Sequence, residues 1–355
     1  MSNQERVLVP TFAKSIRGKS HDDSGKPMQD YSLAVRCEDF SIAVVCDGHG
    51  ANKHFRSDIG SKLCAEVVKE QLIAFYDRNP SYEVLMQDFE AKAERLKLSI
   101  VSHWQARLKE YTDANPFTDD EWKCASPNLA FRKEYDIAQP YGTTLLTALV
   151  TRDYYLVLML GDGAIVKINA KTMKGEIVTF EGKNMYEDQP HSATDSLCSE
   201  ESFYTTFHTV KKLDSEEGAV AFGLCSDGFS EAFFTDEEVA HRLTNILNFY
   251  AEEGLEASAE PIENLMNEVS RRSIAKDDIS IAFATMDLDA FIQPKAEAAP
   301  AEEAPAEEAP AEEAPAEEAP AEEAPAEEVS SEEAPAEEAP PSVQDDLSAP
   351  LDEDD

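Results

Sequence analysis

Residues 31–50 read YSLAVRCEDFSIAVVCDGHG, and their division decides the fold. Two β-rich runs, 31–37 and 41–46, flank a polar turn at Glu38 and Asp39. That is the pattern of a β-hairpin. Its second run ends abruptly on Asp47-Gly48. Downstream, 53–76 places Phe55, Ile59, Leu63, Val67, Leu72 and Phe75 near a helical period, and 82–111 does so through Leu85, Phe89, Ala93, Leu96 and Ile100. Residues 113–140 hold Pro116, Pro127 and Pro140 and read as an irregular connection. Three short apolar runs follow at 144–150, 154–160 and 164–168, then a hairpin over 171–180 and a polar loop over 181–202. A strand over 219–225, helices over 236–250 and 261–273, and a strand over 279–285 complete the pattern. Consecutive strands joined by tight turns, with helices grouped in pairs, predict an α+β fold. Its antiparallel sheets are covered by helices; a parallel doubly wound sheet is not expected.

The chain has 355 residues, 72 acidic and 31 basic, for a net charge of −41. The charge is uneven: residues 295–355 carry 23 acids and one base, the rest 49 acids and 30 bases. Nucleic acid is excluded as a partner, because both surfaces repel and no basic stripe offsets this. No apolar run reaches the roughly 18 residues of a membrane span. The start, MSNQERVLVP, lacks the basic-then-apolar order of a secretory signal, so a cytoplasmic location is expected. Cys37, Cys46, Cys64, Cys124, Cys198 and Cys225 include no C-x-x-C pair and read as scattered reduced thiols.

Residues 1–290 have the composition of one globular domain, and 291–355 read as a disordered acidic tail. Residues 301–340 are eight five-residue units, six of them AEEAP. A proline every fifth residue prevents a long helix. Adjacent glutamates repel, and alanine buries too little surface to offset ordering entropy. The expected role is a solvated spacer; a solubility device or a lure for basic partners are the alternatives.

Within the body, one local arrangement recurs: an apolar strand, then Asp, usually beside Gly. It occurs at Asp47-Gly48, at Gly161-Asp162-Gly163, at Asp227-Gly228, and with Asp277-Asp278 before ISIAFA; Asp30 precedes YSLAV. A lone Asp-Gly after a strand is first of all a turn. Several short carboxylates delivered by buried strand ends, however, form an oxygen cage of the kind Mg²⁺ or Mn²⁺ requires.

The ordered stretches Pro27-Met28-Gln29-Asp30, Val45-Cys46-Asp47-Gly48-His49-Gly50, Tyr141-Gly142-Thr143-Thr144, Leu160-Gly161-Asp162-Gly163, Cys225-Ser226-Asp227-Gly228-Phe229 and Asp277-Asp278-Ile279-Ser280 together resemble the metal-dependent Ser/Thr protein phosphatases of the PPM (type 2C) family, in a bacterial branch. The resemblance spans about residues 12–286. It implies a four-layer αββα sandwich, two antiparallel sheets flanked by helices, with a two-metal site at one end. By position, Asp47 bridges two Mn²⁺ or Mg²⁺ ions and the Gly48 carbonyl ligates one. Asp227 and Asp277 hold the other, and Asp30 contributes directly or through water. Asp162 matches the place of a third, weaker ion, with Asp227 shared. Gln29 and Asp278 are expected to orient bound water. The implied reaction is direct, in-line attack by a metal-bridging water on phosphoserine or phosphothreonine in proteins. His49 is the expected acid for the leaving oxygen, a role suited to a pKa near neutrality.

The sequence departs from the pattern in three ways, the first being Gln29, where many relatives carry Glu. The position five residues before Asp30, where many relatives carry a phosphate-gripping arginine, is Gly25. Arg17, His21 and Lys26 are the candidate replacements. Glu231 stands four residues after Asp227, where many relatives have Asp. The loop 181–202, with Pro190-His191-Ser192-Ala193-Thr194, falls where relatives carry a flap beside the metal site; such loops tend to set substrate choice, and an inert surface excursion is the alternative. The expected partners are phosphorylated proteins and an opposing Ser/Thr kinase, with the chain a monomer. The rival reading is a catalytically weak relative that binds phosphoproteins as a scaffold. Retention of Asp47, Asp227 and Asp277 argues for the enzyme.

Overall fold

A computed structural model of the protein describes residues 6–125, 137–180 and 195–293. The expected disordered tail from 294 on and residues 181–194 of the expected flap lie outside these residues. In chain order the elements are β1 (Val9–Pro10), β2 (Ala13–Ile16), α1 (Lys19–Ser24), β3 (Tyr31–Arg36), β4 (Phe40–Cys46), α2 (Ser57–Arg78), α3 (Tyr82–Met86), α4 (Phe89–Ala114), α5 (Asp119–Cys124), β5 (Leu145–Thr151), β6 (Tyr154–Leu160), β7 (Ala164–Asn169), β8 (Lys174–Ile177), α6 (Ser202–Thr205), β9 (Phe207–Lys212), β10 (Val220–Cys225), α7 (Asp227–Ser230), α8 (Asp236–Arg272) and β11 (Ile279–Thr285).

The strands form two antiparallel sheets, ordered β1-β3-β4-β5-β6-β9 and β2-β11-β10-β7-β8. The central strands β4, β5, β6, β10 and β11 are buried along their whole length, as strands covered on both faces must be. Their side chains divide by the two-residue period. On β4, Phe40, Ile42, Val44 and Cys46 meet α2 and α4, whereas Ala43 and Val45 face the other sheet. On β10, Val220, Phe222 and Leu224 join that inter-sheet core, and Ala221 and Cys225 pack under α8. Three apolar layers thus bind four structural ones, and the α+β sandwich flanked by helices is the observed architecture.

The helices follow the same logic. Leu96, Ile100, Trp104 and Leu108 form a stripe at i, i+4 spacing on α4. Trp104 is fully buried and donates its indole N–H to the Gly60 carbonyl of α2 at 3.0 Å. Trp104→Ala removes both that packing and the hydrogen bond. It should cost about 3–5 kcal/mol, read as a lowered midpoint in urea unfolding.

Several elements differ from expectation. The helix over 82–111 is two helices, broken where Asp88 takes a left-handed conformation (φ 60°). The hairpin assigned to 171–180 is instead β7 paired with β8. The helices 236–250 and 261–273 join into α8, interrupted at Gly254 (φ 80°). The irregular connection contains α5, started by a capping box between Thr118 and Glu121. The partly polar strand β9 has no apolar run to announce it. Among the described residues, no helix is long and apolar enough to cross a membrane. Cys37, Cys46, Cys64, Cys198 and Cys225 are free thiols.

Candidate metal centre

Strand register brings the acidic positions to one end of the sandwich. Tyr31 pairs with Cys46, so the next step places Asp30 opposite Asp47. Val45 pairs with Leu146, and two further steps bring Asp47 beside Thr144. In the other sheet Cys225 pairs with Ala164 and with Ile281, which carries Asp227 toward Asp162 and toward the start of β11. Because neighbouring strands are antiparallel, residues that follow β4, β6 and β10 meet those that precede β3, β5, β7 and β11.

Side chains then fix the backbone around the acids. The Asp47 N–H donates to Thr144 Oγ1 at 2.9 Å, and the Asp47 carbonyl accepts from Thr144 N at 2.8 Å and Thr143 Oγ1 at 2.9 Å. This is the local reason for the Tyr141-Gly142-Thr143-Thr144 stretch. Gly48 is packed so closely that a Cβ would lie 2.4 Å from the Gln29 carbonyl oxygen and 2.8 Å from that of Ser57. Asp278, only 2% exposed, accepts from Gly18 N and Gln29 N, each at 2.6 Å. Both of its oxygens therefore hold backbone, and it fastens the Gln29-Asp30 segment to β11. The Gln29 amide donates to Ser57 Oγ at 2.6 Å and to the His49 carbonyl at 3.2 Å, which leaves its buried Oε1 without a partner.

The carboxylates crowd one another. Burial, then the charges of Asp278, Asp227 and Asp277, push Asp30 well above the ordinary range, against a hydrogen bond from Ser226 that lowers it. Burial, then Asp30 and Asp227, do the same to Asp47. Burial and the charges of Asp162, Asp277 and Glu231 raise Asp227 to about 6, and a hydrogen bond with Asp47 opposes the rise. Asp30 Oδ2 and Asp227 Oδ1 are buried with no hydrogen-bond partner. Anionic groups held this way call for a counter-charge. All the donors are oxygens, which suits hard divalent cations. The residues present therefore fit hard divalent cations, with Asp30, Asp47, Asp227 and Asp277 as the ones that would hold them.

The three candidate phosphate cations separate. Arg17 lies 3.4 Å from Asp22 and donates to the carbonyls of His21, at 2.9 Å, and Lys26. Lys26 Nζ donates to the Gly50 carbonyl at 2.9 Å, beside His49. His21 is 6% exposed and turned away from solvent against Asp277 and Asp278. His49 differs from expectation: burial, and then Lys53, lower its pKa to about 4, so its imidazole is neutral at pH 7. Its ring lies 5.0 Å from that of His54, and its Nε2 is buried without a partner. Thr144 and Ser226 stand in the quoted stretches with no role assigned by sequence; here the Thr144 hydroxyl holds the Asp47 backbone and Ser226 hydrogen-bonds Asp30.

Residues 17–266 match the family model described as Protein phosphatase 2C. The chain belongs to the protein phosphatase 2C family. No curated protein sequence matches it. Among solved structures it is similar to a bacterial serine phosphatase, at 17% identity over 79% of this chain and 98% of that one, TM-score 0.47. It is also similar to PppA, a regulatory component of T6SS in Pseudomonas aeruginosa, at 14% identity over 78% and 96%, TM-score 0.46. A third is the catalytic domain of the serine threonine protein phosphatase PstP in complex with 2 manganese ions, at 16% identity over 79% and 99%, TM-score 0.44.

Proposed function

We propose that this phosphatase 2C member hydrolyses phosphoserine and phosphothreonine esters in proteins, using two Mn²⁺ or Mg²⁺ ions held by Asp30, Asp47, Gly48, Asp227 and Asp277. A third, weaker ion belongs at Asp162, with Asp227 shared. The observation that carries this reading is the meeting of Asp30, Asp47 and Asp227 from both sheets, two of them with buried, unpartnered carboxylate oxygens. When bound, the ions neutralise the ester's charge and make water a nucleophile near neutral pH. The chain's own groups do the rest. Gln29 Oε1 is an open acceptor for a water proton. Lys26, held at Gly50, is the cation best placed to meet a phosphoryl oxygen. His49 takes up its proton when the ester dianion arrives, because a nearby negative charge raises an imidazole pKa. It then donates to the departing Ser or Thr oxygen. The body 1–290 is the catalytic domain of a cytoplasmic monomer opposed by a Ser/Thr kinase, and the acidic tail is a spacer.

The test is phosphate release from a phosphothreonine peptide against release from a nucleotide, with Mn²⁺ present or chelated. Mn²⁺-dependent release from the peptide is expected; release from the nucleotide alone overturns the reading. His49→Gln should slow peptide hydrolysis about 10²-fold and an aryl phosphate, whose leaving group needs no proton, far less. Equal slowing of both substrates would remove His49 from the acid role.

A further inference from the structure

The G-x-x-H element Gly18-Lys19-Ser20-His21 is stitched to the turn that precedes β11. Gly18 N donates to Asp278 Oδ1, and Ser20 donates twice to the Lys276 carbonyl, from N and from Oγ, each at 2.9 Å. A Cβ on Gly18 would lie 2.3 Å from the carbonyl carbon of Asp277, so only glycine allows this approach. The turn itself is strained, since Lys276 has φ 53° without being glycine. On this base His21 places its ring between two carboxylates. Nε2 is 3.3 Å from Asp277 Oδ1, and Nδ1 is 3.0 Å from Asp278 Oδ1, a contact that is not an aligned hydrogen bond. Whichever nitrogen carries the proton, a carboxylate oxygen stands next to it.

We propose that His21 is a positioning residue for the metal ligand Asp277, and not a grip for substrate phosphate. Asp277 Oδ1 accepts from Asp278 N at 2.8 Å and faces His21, which leaves Oδ2 as the oxygen presented to a cation. An Asp on a strained, half-exposed turn has several side-chain orientations; the His21 ring selects one. The groups of His21, Asp277 and Asp278 lie within 4.8 Å of one another, but they do not make an ion site of their own. The ring nitrogens face different carboxylates, and both Asp278 oxygens are held by backbone N–H groups. Phosphate contact therefore falls to Lys26, whose amine lies outside this cluster.

The inference rests on the two-ion reading, and calorimetric Mn²⁺ binding without substrate separates the two. The full chain should take up Mn²⁺, and Asp277→Asn should lose one equivalent. His21→Ala should weaken that equivalent about 10–100-fold, the usual cost of removing a group that orients a ligand. His21→Gln, whose amide N–H can replace the ring N–H toward Asp277, should recover most of the affinity. At saturating Mn²⁺ the KM of His21→Gln for the phosphothreonine peptide should stay within about twofold of the parent. If Asp277→Asn loses its equivalent while both His21 variants bind Mn²⁺ like the parent, the inference fails and the two-ion reading stands. A KM raised about tenfold or more at saturating Mn²⁺ also overturns it, because His21 would then be gripping phosphate. A parent chain that takes up no Mn²⁺ brings down the two-ion reading itself.

Discussion

Asp47→Asn will abolish phosphopeptide turnover and, in the same protein, raise the melting temperature of the metal-free form. The two effects have opposite signs for one reason. Asp47 is half-buried beside Asp30 and Asp227, and without cations burial and then their charges oppose its ionisation. Asparagine keeps the shape and removes that charge. The metal-free gain should appear near neutral pH, where an unfolded aspartate is ionised and this one resists ionisation. On the proposed two-ion reading, the same charge would help to hold the cations. Its loss should lower turnover by at least about 10³-fold, the several kcal/mol that ion-based charge stabilisation contributes. Thermal melts with chelator and with Mn²⁺ check the first part. Mn²⁺ should stabilise the parent by mass action and leave the variant nearly unmoved. A variant that turns over normally sinks the two-ion mechanism.

Metal-free protein will lose stability as pH rises from about 4 through about 6, and Mn²⁺ will restore it. The sign follows from the direction of the shifts. Asp30, Asp47 and Asp227 are all raised, so the folded chain holds protons that the unfolded chain releases. A raised carboxylate contributes its full stability below the unfolded value, and that contribution is lost as pH climbs through the folded value. For Asp227, raised from 3.8 to about 6, the change amounts to at most about 3 kcal/mol. Bound cations take the place of those protons, so the Mn²⁺-induced rise in melting temperature should grow between about pH 5 and pH 7. Comparing melts of the parent and Asp227→Asn across this range isolates the contribution from carboxylates elsewhere. A parent that gains stability over the window relative to that variant contradicts the crowding of charge described above.

Much of this was legible because buried central strands leave a strong local mark. The runs that became β4, β5, β6, β10 and β11 are apolar on both faces, and the Asp beside an end of β4, β6, β10 and β11 stands out against them. The strands β1, β2 and β9 and the helix α1 leave no such mark. They are short or partly polar, and tertiary pairing determines their form. The His21 side chain shows the same limit. Sequence spacing offered it for phosphate, but its surroundings come from residues more than 250 positions away. His49 shows it again, since a motif assigns the residue but burial and Lys53 set its proton.

The amino-acid order by itself determined the layered α+β body, the family, and which aspartates would stand at strand ends, because strand period and apolar runs are properties of neighbours along the chain. Only the tertiary structure decided which of those acids face one another and which are sealed by backbone N–H groups. Burial, electrostatic crowding and hydrogen-bond occupancy depend on distances in space, and those are set by the register between strands.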